Sequence, residues 1–325
     1  MRRWRAAFVC VAALALGACN PQAPDAPAAA GPLLPGLAAQ LPELETSELR
    51  TAGDHVAVTL ERKAGEWTVR ERTGWPADPA RVRTLLEDLV AARRAEAKTA
   101  IPERHAKIGV EAIAAADAAG VEVRLRGKDW QRAIVIGNAP PAGPGRFVRL
   151  PAEAQAWRAD RPLVVAREPA QWLDTQLFDV PLARIAGVRS FDAAGHAFEL
   201  AHRDDRFRVV DAPSAAMGDS HRGDALAGGL EQLRLDDVAA DDGAAAERTV
   251  DFFVSVPERD VIRLEAWRVD GRVWARVREC RLPPPYSNEP TCRQSSRWTG
   301  RRFLLPAQVA ATLLMSRDQV LGRTP

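Results

Sequence analysis

Apolar and polar residues alternate over His55-Val56-Ala57-Val58-Thr59-Leu60-Glu61, and the alternation resumes at Trp67 and Val69 after Lys63-Ala64-Gly65. A period of two belongs to a strand with one buried face, and a glycine-containing break between two such runs predicts a β-hairpin. The period then changes. Val82, Leu85, Leu86, Leu89 and Val90 recur at helical spacing with charges between them, behind Asp78 as N-cap and Pro79 at the first helical position. A helix is expected there. Val121-Glu122-Val123-Arg124-Leu125 and Ile134-Val135-Ile136, joined through Gly127-Lys128-Asp129, predict a second hairpin. Arg146-Phe147-Val148-Arg149-Leu150 predicts a further strand, and Pro169-Ala170-Gln171-Trp172-Leu173 opens a short terminal helix.

The second half of the chain repeats this plan. Phe198-Glu199-Leu200 and Phe207-Arg208-Val209 stand 140 residues after Val58-Thr59-Leu60 and Trp67-Thr68-Val69. A helix carrying Leu226, Leu230 and Leu233 follows, capped by Asp219 or Ser220, then Phe252-Phe253-Val254, Ile262-Arg263-Leu264 and Val273-Trp274-Ala275-Arg276-Val277. Pro306-Ala307-Gln308 echoes Pro169-Ala170-Gln171 at a spacing of 137. The expected fold is α+β, with two related subdomains over 41–177 and 178–325, each an antiparallel sheet of hairpins packed with one main helix.

The N-terminus departs from these patterns. Met1-Arg2-Arg3-Trp4-Arg5 is a cationic stretch, and the apolar run Ala6–Leu16 is shorter than the roughly 20 residues a permanent membrane span needs. Residues 1–18 therefore read as a signal peptide. Leu16-Gly17-Ala18-Cys19 resembles the lipobox of bacterial lipoproteins. The resemblance implies cleavage before Cys19, a diacylglyceryl thioether on its sulfur and an acylated amino group, a stable membrane anchor at about 0.8 kcal/mol per buried methylene. Asn20, in place of the aspartate that resembles an inner-membrane retention signal, favours the outer membrane, facing the periplasm. Residues 19–40 are expected to be the lipidated cysteine and a flexible linker. Its stretch from Asn20 to Pro35 is almost all Pro, Ala, Gln and Gly, and at about 3.1 Å per residue it would hold the folded part up to roughly 50 Å from the bilayer.

Composition then excludes several classes. The 325 residues, 46% hydrophobic and 27% charged, fit neither a disordered nor a multi-span membrane chain. Loss of residues 1–18 removes three arginines, which leaves 42 bases against 43 acids and turns a net charge of +2 into −1. No nucleic-acid partner is expected.

Gly65-Glu66-Trp67-Thr68-Val69, Trp75-Pro76-Ala77-Asp78-Pro79-Ala80-Arg81-Val82, His105-Ala106-Lys107-Ile108-Gly109-Val110, Ala133-Ile134-Val135-Ile136-Gly137-Asn138 and Trp172-Leu173-Asp174 follow one another in an order that resembles domain-of-unknown-function family 4340. The resemblance covers about residues 50–180, with a degenerate second copy behind it. It implies a bacterial envelope protein with an N-terminal anchor, in some cases encoded beside ABC-type transporters, and it assigns no active-site residue.

Catalytic and metal sites were sought by residue type and spacing. Gly218-Asp219-Ser220-His221 is similar to the nucleophile block of GDS-type esterases, but it lies late in the chain and no Asp-x-x-His follows it. Side chains adjacent in sequence also do not converge as a triad requires. A periplasmic hydrolase using Ser220 and His221 stands as the alternative to a non-catalytic protein. His196 and His202 flank Glu199 at a spacing that keeps them apart on either a strand or a helix. His55, His105 and His221 stand alone, and the acid pairs Asp236-Asp237 and Asp241-Asp242 read as solvated. Neither cofactor, metal nor small-molecule ligand is expected. Trp67, Trp130, Trp157, Trp172, Trp267, Trp274 and Trp298 are expected in core packing, not on a sugar-stacking surface.

Two thiols remain. Cys10 leaves with the signal peptide and Cys19 is taken by lipid, so Cys280 and Cys292 are expected to pair in an oxidising compartment. The bond would close a ring worth about 3 kcal/mol on the chain-entropy model. Inside the ring lie Pro283, Pro284, Pro285, Pro290 and the chain's one tyrosine, Tyr286, so the loop is either a braced insertion or a docking surface for an envelope protein. Mass spectrometry of the chain extracted from membranes is expected to find Cys19 as the acylated N-terminus. Cleavage at another position, or a bare Cys19, contradicts the lipid assignment.

Overall fold

A computed structural model of the chain describes residues 31–212, 221–254, 260–281 and 295–323. The first half runs through helix α1 (Leu37–Gln40), strands β1 (Leu44–Thr51), β2 (His55–Lys63), β3 (Glu66–Val69) and β4 (Trp75–Pro76), and helix α2 (Pro79–Ala91). It continues through β5 (Arg94–Ala97), β6 (Val121–Gly127), β7 (Gln131–Ile136), β8 (Arg146–Arg149) and β9 (Ala156–Ala159). These strands form one nine-stranded sheet in the order β4-β3-β2-β1-β6-β7-β8-β9-β5. Because β4 and β5 lie at opposite edges, α2 carries the chain across the width of the sheet.

The sequence signals account for these elements. Asp78 accepts hydrogen bonds from the amides of Ala80 and Arg81, with Pro79 at the first helical position. Val82, Leu85 and Leu89 form the buried stripe of α2 and join one core cluster with Val58, Leu60, Val123 and Ile134 from the sheet. Each side chain so buried contributes about 1.5–3 kcal/mol.

The second half comprises β10 (Gln176–Phe178), β11 (Ile185–Asp192), β12 (Ala197–Arg203), β13 (Arg206–Val209), α3 (Arg222–Ala227), β14 (Leu233–Arg234) and β15 (Asp237–Ala240). It ends with β16 (Arg248–Val254), β17 (Val261–Val269), β18 (Arg272–Arg281), α4 (Ser295–Trp298), β19 (Arg301–Leu304), α5 (Ala307–Leu313) and α6 (Arg317–Val320). Its main sheet has the order β13-β12-β11-β16-β17-β18-β19-β15. That is the order of the first sheet without its edge strand β4. The fold is α+β, two antiparallel sheets of one topology.

The equivalence extends to single residues in the first hairpin of each half. Leu60 pairs with Val69 and Lys63 with Glu66; Leu200 pairs with Val209 and Arg203 with Arg206. The spacing is the 140 residues of the sequence echo. Both hairpins close on two residues with positive φ, Ala64 and Gly65 at 51° and 89°, and Asp204 and Asp205 at 50° and 61°. Such turns match the right-handed twist of the strands they join.

Three expectations change. The linker expected over 19–40 gives way within its described part, because Leu33, Leu34 and Leu37 are buried at 0%, 5% and 1% exposure. The Leu33 amide donates to the Ala92 carbonyl and the Arg94 amide to that of Gly31, which fastens 31–34 beside the end of α2. Proline content suggested a tether, while three leucines placed there had an apolar surface to cover. Second, the helix expected to carry Leu226, Leu230 and Leu233 is shorter. Leu226 lies in α3, Leu230 in a 3-10 turn and Leu233 on β14, because Gly228-Gly229 and Gln232, at φ 47°, interrupt it. Its expected caps Asp219 and Ser220 lie outside the described residues. Third, Pro169–Trp172 forms a 3-10 turn with a Glu168–Gln171 capping box, whereas its counterpart Pro306-Ala307-Gln308 opens an α-helix. In addition, β10 pairs with β14, so a boundary drawn between residues 177 and 178 falls inside a strand that belongs with the second half.

Helix α3 lies close against the edge strand β13. A Cβ on Gly223 would meet the Phe207 carbonyl oxygen at 2.0 Å, and the Asp224 carboxylate accepts the Phe207 amide at 2.7 Å. Overpacking of this kind costs about 1–3 kcal/mol, more than the roughly 1 kcal/mol of helix propensity an alanine adds. Gly223→Ala is therefore expected to lower the thermal midpoint. Gly228→Ala, with nothing within 4 Å of the new methyl, is expected to leave it unchanged or raise it. Equal midpoints for the two variants contradict this packing.

Candidate functional site

Of the residues singled out by sequence, Cys19, Ser220, Pro284, Pro285, Tyr286 and Cys292 lie outside the described residues. Cys280 sits near the end of β18 opposite Ile262, half-buried against the common core. His221 stands exposed before α3, its Nδ1 3.8 Å from an Asp224 carboxylate oxygen and its Nε2 3.4 Å from an Arg206 guanidinium nitrogen. His196 pairs with Asp192 at 3.1 Å, and the buried His105 bonds the Ala154 carbonyl at 2.9 Å. Among the described residues no three His, Cys, Asp or Glu side chains are grouped to hold a metal ion. Nor is any described helix long and apolar enough to cross a membrane. The seven tryptophans expected in packing are buried or half-buried.

What the structure adds is the junction between the halves. One connection that differs between the two sheets shapes this junction. Between β8 and β9 the chain needs residues 150–155, whereas between β18 and β19 it needs 282–300. The return leg of that longer excursion is α4, and α4 delivers Arg297 to the first half and Trp298 to β10 beside it. Arg297 lies over the fully buried Trp75, its guanidinium carbon 4.4 Å from the ring centroid, and pairs with the Asp174 carboxylate at 3.2 Å. Trp298 packs on Phe178 with ring centroids 5.2 Å apart.

Trp75 is held from several directions. Its indole N–H donates to the Asp174 carbonyl at 2.8 Å, and its ring meets Phe303 of β19 edge-on at 5.1 Å. The backbone around it is tied as well: the Asp78 amide donates to the Trp172 carbonyl, the Asp174 amide to that of Pro76, and Ala77 bridges Leu173. Two stretches almost a hundred residues apart in sequence, Trp75-Pro76-Ala77-Asp78 and Trp172-Leu173-Asp174, thus lie side by side. No spacing or periodicity in the chain signals this contact.

The rim of the junction is polar. Arg301 donates to the Thr73 hydroxyl at 2.8 Å and to its carbonyl at 2.6 Å, and to the Arg297 carbonyl at 2.5 Å. Burial, and then the like charge of Arg297, push the Arg301 guanidinium below its usual pKa range. Arg72 pairs with Asp237 of β15 at 2.5 Å. This arrangement ties the two sheets together through ring packing, hydrogen bonds and ion pairs.

Comparison with known proteins gives one match. A family model described as a domain of unknown function (DUF4340) matches residues 67–251, from β3 to β16, and so takes in part of each half but neither α4 nor β19. No curated protein and no solved structure matches the chain.

Truncating a buried tryptophan typically costs about 3–5 kcal/mol, and a desolvated cation–π contact about 2 kcal/mol. Trp75→Ala is expected to lose stability in that first range on urea unfolding, and Arg297→Ala to lose less but measurably. A Trp75→Ala loss below about 1 kcal/mol, well under the range for a filled core site, contradicts the role assigned to the junction.

Proposed function

The chain belongs to the DUF4340 family, and on that premise we propose that it is a non-catalytic, lipid-anchored protein of the bacterial envelope that works as an accessory or interaction module, in the setting of a transporter complex. Cys19 carries the lipid, the folded part faces the periplasm, and the outer membrane is the favoured site. Cys280 and Cys292 form a disulfide that closes the loop holding Pro284, Pro285 and Tyr286. The partner is another envelope protein.

The observation that carries this reading is the connection between β18 and β19. A loop rich in proline, with one tyrosine, leaves the sheet beside Cys280 and returns through α4, whose Arg297 and Trp298 are fixed in the junction. A loop held at both stems loses little conformational freedom on meeting a partner, and an aromatic among prolines supplies compact apolar contact. The Arg–Trp stack behind it keeps the stems from shifting.

The test uses a photo-cross-linking amino acid in place of Tyr286, in intact cells. The expected result is a covalent adduct with an envelope protein; recovery of the chain without an adduct contradicts the docking role. Purified chain that hydrolyses generic esters, with that activity abolished in Ser220→Ala and the fold retained, would overturn the non-catalytic reading in favour of a hydrolase using Ser220 and His221. Alkylation of the native chain without reductant is expected to label neither Cys280 nor Cys292, and labelling of both rules out their pairing.

A further inference from the structure

A second surface stands apart from the junction. Between α2 and the segment that follows β9 runs a groove of about 360 Å³, lined by Ala80, Arg81, Thr84, Leu85, Val164 and Trp172, with Ala166 completing its wall. Its floor is apolar, since Leu85 and Trp172 are both 3% exposed. Its edge is unusual. Val164 is 70% exposed, the most exposed of the large apolar side chains among the described residues. Its neighbour Leu163 is buried with a positive φ of 37°, a conformation that leucine rarely adopts. The one charged group on the groove wall is Arg81, whose side chain is 58% exposed and 3.4 Å from Asp78.

The described chain begins where it can supply an occupant. Gly31 is hydrogen-bonded to Arg94, just past the C-terminal end of α2, and Leu33 to Ala92. Upstream of Gly31 lie Pro21-Gln22-Ala23-Pro24-Asp25-Ala26-Pro27. A polyproline helix has three residues per turn, so these three prolines would share one edge as a continuous apolar ridge. Such ridges dock into grooves that contain an aromatic ring, at low ordering cost because the conformation is already preferred. Length permits it. The stretch of α2 from Ala80 to Ala92 measures about 18 Å, and the seven residues from Pro24 to Gly31 extend to about 25 Å. Asp25 lies between the prolines and complements Arg81 in charge.

We propose that the proline-rich segment 21–27 of this same chain docks in the groove between α2 and Val164–Trp172, with Asp25 facing Arg81. Docked, the segment brings the folded body close to the point where the chain is anchored; released, it allows the body its full reach. The docking needs only residues 21–31 and the groove and does not depend on the partner proposed for Tyr286, while its effect on the body's reach rests on the anchor proposed at Cys19.

The test places a photo-cross-linking amino acid at Val164 in the full chain. The expected product is an intramolecular adduct to the peptide that ends at Arg50 and contains residues 21–27. Its yield should fall at least fivefold when Pro21, Pro24 and Pro27 are replaced together by serine, three changes outside the folded body. Asp25→Lys and Arg81→Glu should each lower the yield, and the double variant should restore it. Absence of the adduct, an adduct to another protein in its place, a yield indifferent to the prolines, or single charge reversals that the double variant fails to rescue would each overturn the proposal.

Discussion

Trp75 is the residue on which both sheets depend. It sits at the end of the first sheet as half of a two-residue strand, too short to be stable by its own ladder, and it is fully buried because the second half supplies the missing wall. Phe303 meets its edge, Arg297 covers its face, and Asp174 accepts its N–H. A large aromatic ring with a polar handle is suited to this position, since it fills volume between two sheets and still satisfies its donor. Arg297 in turn carries α4, and α4 carries the end of the loop that begins beside Cys280. Packing at one ring therefore reaches the surface that the protein is proposed to use.

The two halves share a topology and use it differently. In each, the chain crosses from one edge of the sheet to the other, through α2 between β4 and β5 in the first half and through α3 and β14 between β13 and β15 in the second. The first half builds a helix from Pro79 to Ala91 and holds it with Asp78; the second has, among the described residues, Arg222–Ala227, pressed so near β13 that Gly223 has no room for a side chain. The second half spends its length elsewhere. Its β18–β19 connection is the extended one, and its return leg closes the junction.

Much of this was legible in the residues. The 140-residue echo between Leu60 and Leu200 matches the pairing of both hairpins, because a two-residue turn fixes register and leaves alternation to identify the buried face. Asp78 and Pro79 announced α2 for the same local reason. Non-local features were hidden. Strand β1, central to its sheet, reads Leu44-Glu45-Thr46-Ser47-Glu48-Leu49-Arg50-Thr51, and its buried Ser47 and Glu48 obscure the alternation. Leu33 and Leu37 gave no periodic signal within a proline-rich stretch, although the core encloses them. The stack of Arg297 on Trp75 joins residues more than two hundred positions apart, and no spacing rule reaches that far. For the candidate site, sequence identified the loop through its cysteines, prolines and tyrosine, but not the junction that holds its stem.

That junction makes a single rigid body of two similar sheets, and native-state hydrogen exchange in rising urea tests this most directly. If the account is right, the slowest amides of β1 and β6 and those of β11 and β16 open with the same free energy and the same denaturant dependence. Opening of one set well before the other, with Trp75 in place, would show two independent domains and contradict it.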